Sequence, residues 1–328
     1  MSTSTIEPAS TPEPSARSAA GGLAAMSDDR ADCVVVVVSY NSADHILALL
    51  DSLPAAAGHL RIRCVVVDNG SRDGTVELLR ERDDVRLIET GRNLGYAGGI
   101  NVARAECGSC SSILILNPDL ELEPGALVHL SEALETPAVG VAVPMLLNED
   151  ESRFFTLRRE PSLTRAFGDA LFGAHLRGRP SWLGEMIYAD DAYRHPVDVA
   201  WACGAALLIS SECDSAVGDW DSERFFLYSE ETDFFRRARR SGYRVRSVPA
   251  SHVRHVGGGS GAAPALNALL AVNRVRYYEK YHGRGLSAVF RAAVVIHYLL
   301  RSSSPAGREA FKAVCRRSRW SRLPGTKA

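Results

Sequence analysis

Five consecutive valines, Val34 to Val38, inside the run CVVVVVS from Cys33 to Ser39, constrain this chain more than any other feature. An unbroken β-branched run has no polar face, so it reads as a strand covered on both sides, as in a parallel sheet sandwiched by helices. Turn residues Tyr40, Asn41 and Ser42 end it. A helical pattern from Asp44 to Leu53 leads to a second valine strand, Arg63 to Val67, which runs into Asp68-Asn69-Gly70-Ser71. The pattern then predicts a helix starting near Asp73 to Thr75, a strand at Val85 to Glu89, a helix at Gly98 to Glu106, and a strand at Ser112 to Leu116 that stops at Asn117-Pro118-Asp119. Strand alternating with helix is the signature of a doubly wound α/β layer.

In such layers ligands bind beyond the carboxyl ends of the strands. Ser39, Tyr40 and Asn41, then Asp68 and Asn69, then Asn117 and Asp119 all fall at that edge. Further along, Val139 to Leu147 and Val199 to Ser210 read as strands, separated by an Arg-rich, Pro-containing stretch expected to face the substrate. A helix over Glu230 to Ser241 and a strand over Tyr243 to Pro249 follow, and from Ala265 the pattern is helical with a break at Ser302 to Gly307. No internal repeat is present.

Composition narrows the class. With 328 residues, 46% of them hydrophobic and 23% charged, the chain can bury a sizeable core in one large or two modest domains. A net charge of −1 argues against a nucleic-acid binder, but the total hides an asymmetry: residues 301 to 328 hold eight bases and one acid. Seven cysteines, an odd number in a long chain, make a poor disulfide framework and fit a reducing cytosol; Cys107 and Cys110 form a C-x-x-C without a second ligand pair, so buried thiols are expected rather than zinc. Residues 1 to 30, rich in Ser, Thr, Pro, Ala and Gly, are expected to be a disordered tail without the apolar block of a signal peptide. No run approaches the ~18 apolar residues of a membrane span; the nearest, Leu286 to Leu300, contains Arg291 and His297.

Three segments bear chemistry. In ILILNPDLELE, Ile113 to Glu123, alternate residues of an extended chain point the same way, so Asn117 and Asp119 can aim oxygens at one hard cation, or else form a simple Asx-Pro turn. In FFLYSEETDFFRRARR, Phe225 to Arg240, Glu230, Glu231 and Asp233 crowd a helix start. That crowding complements the helix dipole, and it can also raise one carboxylate's pKa towards that of a general base. In SHVRHVGGGSG, Ser251 to Gly261, a loop could bring imidazole and backbone amides to a phosphate or metal, or be a glycine linker. The run ETGRNLGYAGGIN is neither G-x-G-x-x-G nor a P-loop, which disfavours dinucleotide-binding and P-loop domains.

Taken in order, VVVSYNS, VVVDNGSRDGT, GRNLGYAGGIN, ILILNPDLEL, WACGAALLIS, FFLYSEETDFFRRARRSGYRV and HVGGGS resemble the inverting glycosyltransferases of family 2, in particular its bacterial rhamnosyltransferases, over about residues 33 to 280. The resemblance implies a GT-A fold: an α/β, mostly parallel central sheet flanked by helices. The catalytic domain would span 31–264, with a nucleotide-sugar half at about 31–123, an acceptor half at about 124–264, and a helical, basic extension over 265–328. It implies that Ser39, Tyr40 and Asn41 line the nucleoside, that Asp68, beside Asn69, hydrogen-bonds the pyrimidine, and that Asn93 and Gly95 lie near the ribose and diphosphate. Asn117-Pro118-Asp119 stands where the family has its D-x-D motif, so Asp119, with His255, would hold Mg²⁺ or Mn²⁺; Asn117 in place of the first Asp removes one charge. Glu231 falls at the position of the catalytic base, Glu230 and Asp233 would hold the acceptor or the base, and Trp201 to Gly204 would form part of the acceptor wall.

The implied activity is transfer of a sugar, rhamnose above others, from a dTDP- or UDP-linked donor to a hydroxyl of a glycan, lipid-linked or small-molecule acceptor. A sugar-1-phosphate nucleotidyltransferase and a non-catalytic sugar-nucleotide-binding protein are the alternatives; the first would want a basic glycine-rich loop where this chain has SYNSADH. In the basic end, Phe311, Val314, Trp320 and Leu323 alternate with Lys and Arg, which suits an anionic membrane surface. The expected location is therefore the cytoplasm, with peripheral attachment to the membrane through that end.

Overall fold

The computed structural model describes residues 30–173, 179–256 and 263–325. The expected N-terminal tail up to residue 29 and the glycine run of 257–261 lie outside the described residues. The first half reads β1 (Ala31–Ser39), α1 (Ile46–Ala57), β2 (Ile62–Asp68), α2 (Thr75–Arg80), β3 (Val85–Glu89), α3 (Gly95–Arg104), β4 (Cys110–Leu116), β5 (Leu120–Leu122) and α4 (Ala126–Leu134). The second half reads β6 (Val139–Leu147), β7 (Arg153–Phe154), β8 (Leu157–Arg158), α5 (Leu163–Phe172), β9 (Trp201–Ala202), β10 (Ala206–Ser210), α6 (Ser211–Val217), α7 (Glu230–Arg240) and β11 (Arg244–His255). Three helices close the chain: α8 (Pro264–Tyr281), α9 (Arg284–Leu299) and α10 (Pro305–Cys315).

Nine strands form one sheet in the order β3-β2-β1-β4-β10-β6-β11-β5, with β7 paired to β6. Strands β1, β2, β3 and β4 run parallel, β10 is antiparallel to both β4 and β6, and β11 is parallel to β6. The valine run explains the centre. Cys33, Val35 and Val37 enter one core layer and Val34, Val36 and Val38 the other, and none of the six is more than 6% exposed. Each valine so buried contributes on the order of 1.5 kcal/mol or more from removal of apolar surface. Burial pushes the Cys33 and Cys64 thiols up to about 12, so both behave as small core hydrophobes.

Two strand expectations are corrected. The segment Val199 to Ser210 is not one strand: β9 pairs with β8 in a separate ribbon, the chain turns at Cys203 to Ala205, and only β10 joins the main sheet. The strand expected to stop at Pro249 continues to His255. Pro249, Ala250 and Ser251 are absorbed where the register jumps from Val248↔Pro144 to His252↔Met145. An irregularity of this kind tolerates a proline that a regular ladder would not. Ser251 is then buried with its hydroxyl donating to the Ala126 carbonyl, so SHVRH is sheet and not loop.

The C-terminal helices form a third core with α5, around Val272, Val275, Phe290, Ala310 and Val314. The extension is thus joined to the sheet-bearing part of the chain through α5. It also corrects the expected membrane anchors. Val314 is fully buried, Phe311 and Leu323 pack onto the same core, and the Trp320 indole donates to the Ala313 carbonyl with Arg276, Arg291 and Arg317 around its ring. Those side chains face inward. Among the described residues no helix is long and apolar enough to cross a membrane.

Candidate active site

The carboxyl ends of β1, β2, β3, β4, β6 and β11 lie on one edge, because those strands share a direction. That edge therefore collects Ser39, Asp68, Glu89, Asn117, Asn148 and His255. Two clefts open along it.

The smaller, about 390 Å³, is lined by Tyr40, Asp68, Gly70, Ser71, Arg72, Arg92 and Asn93 among others. Tyr40 is half exposed at its mouth, whereas Ser39 is buried and donates its hydroxyl to Asp68. The Asp68 carboxylate also accepts from the Ser71 hydroxyl and from the backbone N–H groups of Gly70 and Ser71 at 2.9 Å each. Four donors are about the full capacity of a carboxylate. Asp68 thus closes its own turn, and the pyrimidine contact that the resemblance implies would require displacing one of these bonds. Asn41, at φ 52°, accepts from the Arg72 N–H and braces the same turn.

Asn69 and Asn93 shape the neighbouring loop. The Asn69 amide donates to the Gly95 carbonyl at 2.9 Å, and the Asn93 side chain accepts from the Gly95 N–H at 2.8 Å. Gly95 has φ +78°, and a Cβ there would meet the Phe226 carbonyl at 2.2 Å. Only glycine allows this approach. It locks the loop to the 226 segment, an attachment completed by the Tyr96 N–H donating to the Phe226 carbonyl.

The larger cleft, about 840 Å³, is lined by Tyr96, Asn117, Cys203, Gly204, Tyr228, Glu230, Glu231 and His255, together with Asn148, Phe154 and the α8 residues Leu266, Asn267 and Leu270. On one side, beside His255, stands Asp119, which does not itself line the cleft. Its Oδ2 lies 3.4 Å from His255 Nε2, and β5–β11 pairing, which sets His255 opposite Leu120, holds the two together. Asp119 Oδ1 is buried without a hydrogen-bond partner. On the other side, Glu230 and Glu231 open α7. Each has its Oε2 buried and unpartnered. Unsatisfied buried acceptors are costly, so three in one site point to a ligand that brings donors or positive charge.

Burial raises both α7 carboxylates. Glu231 is pushed up to about 7, with the helix N-terminal amides opposing the shift, and Glu230 goes well above the usual range through burial and then through the Glu231 charge. The expected cause, crowding of carboxylates, is second to burial at Glu230, whereas burial alone raises Glu231. One carboxylate can ionise near neutrality while its neighbour keeps its proton, a division of roles suited to acid–base chemistry. Gly204 abuts Glu231: a Cβ there would lie 3.0 Å from Glu231 Cβ.

The backbone feeding α7 is strained. Tyr228 and Ser229 both have φ +70°, a conformation that side chains other than glycine rarely adopt. Asn273 on α8, fully buried, holds them by donating to the Leu227 and Tyr228 carbonyls at 2.9 and 3.2 Å.

Two expected site residues lie elsewhere. Asp233 does not line the cleft; fully buried, it faces α8 and bonds Lys280, Tyr281 and Arg237 at 2.6–2.8 Å. Trp201 also lies off the main cleft, beside a small cavity beneath Glu231 that Arg274 and Tyr277 share. Tyr96 and Asn267 were not singled out by sequence. The Tyr96 hydroxyl, raised well above its ordinary value chiefly by burial, stays a donor to the Gly204 carbonyl at 3.1 Å. An asparagine in an otherwise apolar helical stretch was the available signal for Asn267.

A mostly parallel sheet with a small cleft and an acidic cleft side by side on its carboxyl edge is the layout of GT-A glycosyltransferases. Residues 34–194 match Glycosyl transferase family 2, and the chain belongs to that family; it is a glycosyltransferase. An N-acetylglucosaminyl-diphospho-decaprenol L-rhamnosyltransferase of Mycobacterium tuberculosis is 30% identical over 233 residues, 67% of this chain and 75% of that one. A low-salt glycan biosynthesis hexosyltransferase of Haloferax volcanii is 29% identical over 221 residues, 65% of this chain and 64% of that protein. Among solved structures, GalNAc-T7 with UDP, GalNAc and Mn²⁺ superposes with a TM-score of 0.54 at 14% identity, covering 80% of this chain and 54% of that one. A mannosyltransferase of Pyrobaculum calidifontis with GDP-Man and Mn²⁺ gives 0.50 at 17% identity, covering 90% and 78%. These likenesses establish the GT-A fold.

Proposed function

We propose that this enzyme transfers a sugar, L-rhamnose from dTDP-rhamnose foremost, with inversion, to a hydroxyl of a lipid-linked saccharide in glycan assembly. The observation that carries the reading is the ionisable Glu231, with an unpartnered buried oxygen, across one cleft from the Asp119–His255 pair. The named activity of the mycobacterial relative supports the sugar and the lipid-linked acceptor. The small cleft would take the nucleoside, with the Tyr40 ring placed to stack on a pyrimidine and Arg72 and Arg92 near the phosphates.

Glu231 takes the acceptor hydroxyl's proton as that oxygen bonds the anomeric carbon. The bond from that carbon to the nucleoside diphosphate breaks, and one displacement inverts the centre. Protonated Glu230 can donate a hydrogen bond without adding a second charge. The unpartnered Asp119 Oδ1, the adjacent imidazole and the Asn117 amide fit a divalent cation. Among the described residues no cluster of three His, Cys, Asp or Glu could ligate a metal, so substrate phosphates and water would complete the shell, as is usual for Mg²⁺. Such a cation would offset charge on the departing diphosphate.

The test is nucleoside diphosphate release across dTDP-, UDP- and GDP-sugars with a polyprenyl-diphosphate-linked N-acetylglucosamine acceptor. Turnover of dTDP-rhamnose is expected above the others; no acceptor-dependent release from any pyrimidine nucleotide sugar would overturn the reading. Because Glu231 must be ionised to act, the rate should climb with pH through about 7 and then level off, whereas a profile with no limb between pH 6 and 8 would remove Glu231 from the base role.

A further inference from the structure

Helix α9 carries Arg284 and Arg291 along one side, yet most of its surface is apolar. Phe290, Val294 and Tyr298 pack into the C-terminal core, while the opposite side exposes Ala288, Val289, Ala292 and Leu299, with Arg284 in its first turn and Arg291 at its edge. A surface helix ordinarily turns charged residues outward along most of its length, and one whose outward side is mostly apolar has a second apolar environment to meet. The patch widens at the end of α9. Leu300 is 60% exposed, and α5 brings Leu171 and Phe172, 61% and 52% exposed, alongside it. The junction is fixed by the Asp169 and Ala170 carbonyls, which face His297 Nδ1 and Arg301 at 3.1 Å each.

The charge around this face has one sign. From Arg284 to Gly325 the chain has nine bases and a single acid, Glu309. Among the described residues, Arg284, Arg291, Arg301 and Arg308 form no ion pair with a carboxylate; the last three bond main-chain carbonyls. A groove beside Ala288, Ala292, Val295 and Ile296 is rimmed by Arg284, Arg291 and Arg317.

We infer that the outer face of α9, with Leu171 and Phe172 of α5, is a membrane-docking surface that lies in the interface of an anionic bilayer. Apolar side chains enter the headgroup boundary while the flanking arginines meet lipid phosphates. A second copy of the chain is the competing occupant, but a two-fold contact would bring this cationic rim against its own image. The inference concerns a different surface from the active site and does not depend on which sugar is transferred.

Flotation of the full chain with vesicles, without substrates, tests it. Binding is expected to phosphatidylcholine–phosphatidylglycerol vesicles and not to phosphatidylcholine alone, weakening as salt rises. The triple variant V289E/L299E/L300E should lower the bound fraction roughly tenfold with an unchanged melting temperature, and Arg284→Glu should lower it further. The inference is overturned if the wild type stays unbound to phosphatidylglycerol vesicles or the triple variant binds as the wild type does. It is equally overturned if sedimentation shows a dimer that the triple variant dissociates.

Discussion

Glu231→Gln slows sugar transfer by on the order of 10³-fold while leaving donor binding nearly intact, since a general base contributes to the transition state and not to nucleotide affinity. The same variant becomes more stable at pH 8. In the folded protein the Glu231 pKa is raised to about 7 from an ordinary 4.5, so between those values the folded state holds more protons than the unfolded one. Stability from this group therefore falls as pH rises through that window, and above it the wild type bears the full cost of an ionised carboxylate in a poorly solvated place. Glutamine removes that cost. Because Glu231 keeps a face on the open cleft, the gain is on the order of 1 kcal/mol, a rise of a few degrees at pH 8 that vanishes below pH 4.5. Kinetics and calorimetry at both pH values check the pair: a large loss of rate without the pH-dependent gain would mean that Glu231 is not held as a raised-pKa base.

Much of this site was legible because strand ends and helix starts are marked in sequence by residues that break periodicity. Val34 to Val38 placed β1 in the sheet centre, and Asp68 and Asn117 each follow an apolar strand, so both reach one edge once the strands are parallel, while Glu230 marks the start of α7. What could not be read was the direction of side chains beyond the first helical turn and the contribution of distant segments. Asp233 sits two residues beyond Glu231, a rotation of about 200° on a helix, and the opposite side faces α8, where Lys280 and Tyr281 wait. The resemblance set α8 apart as part of a helical, basic extension, yet its first turns supply Leu266, Asn267 and Leu270 to the cleft. Nothing local in β11 announced that Pro249 would be passed over, because the irregularity that absorbs it depends on β6 alongside.

Asn273→Leu tests whether α8 also sets the geometry of the base. The substitution keeps the γ-branched shape but removes the side-chain amide that donates to the Leu227 and Tyr228 carbonyls. Two carbonyls lose a buried donor, and the two residues at φ +70° lose what holds them in a conformation costing roughly 1–3 kcal/mol each. The expected loss of stability is about 2 kcal/mol, the usual scale for buried polar groups left unpaired. If the turn relaxes, α7 begins differently and Glu231 no longer points at the acceptor hydroxyl. Misplacement by about 1 Å costs on the order of 10²-fold in rate. The fall should appear in kcat, with KM for the donor little changed, because the cleft proposed for the nucleoside lies on β1–β3 and has no α8 residue in its lining. The alkaline rise of the rate should also shift, since the amides that oppose the upward shift of Glu231 belong to the same turn. A variant that melts earlier yet keeps kcat and its pH midpoint would make Asn273 a packing residue only. Loss of both, with Asn273→Gln restoring part of each, makes it the group by which the C-terminal helices position the catalytic carboxylate.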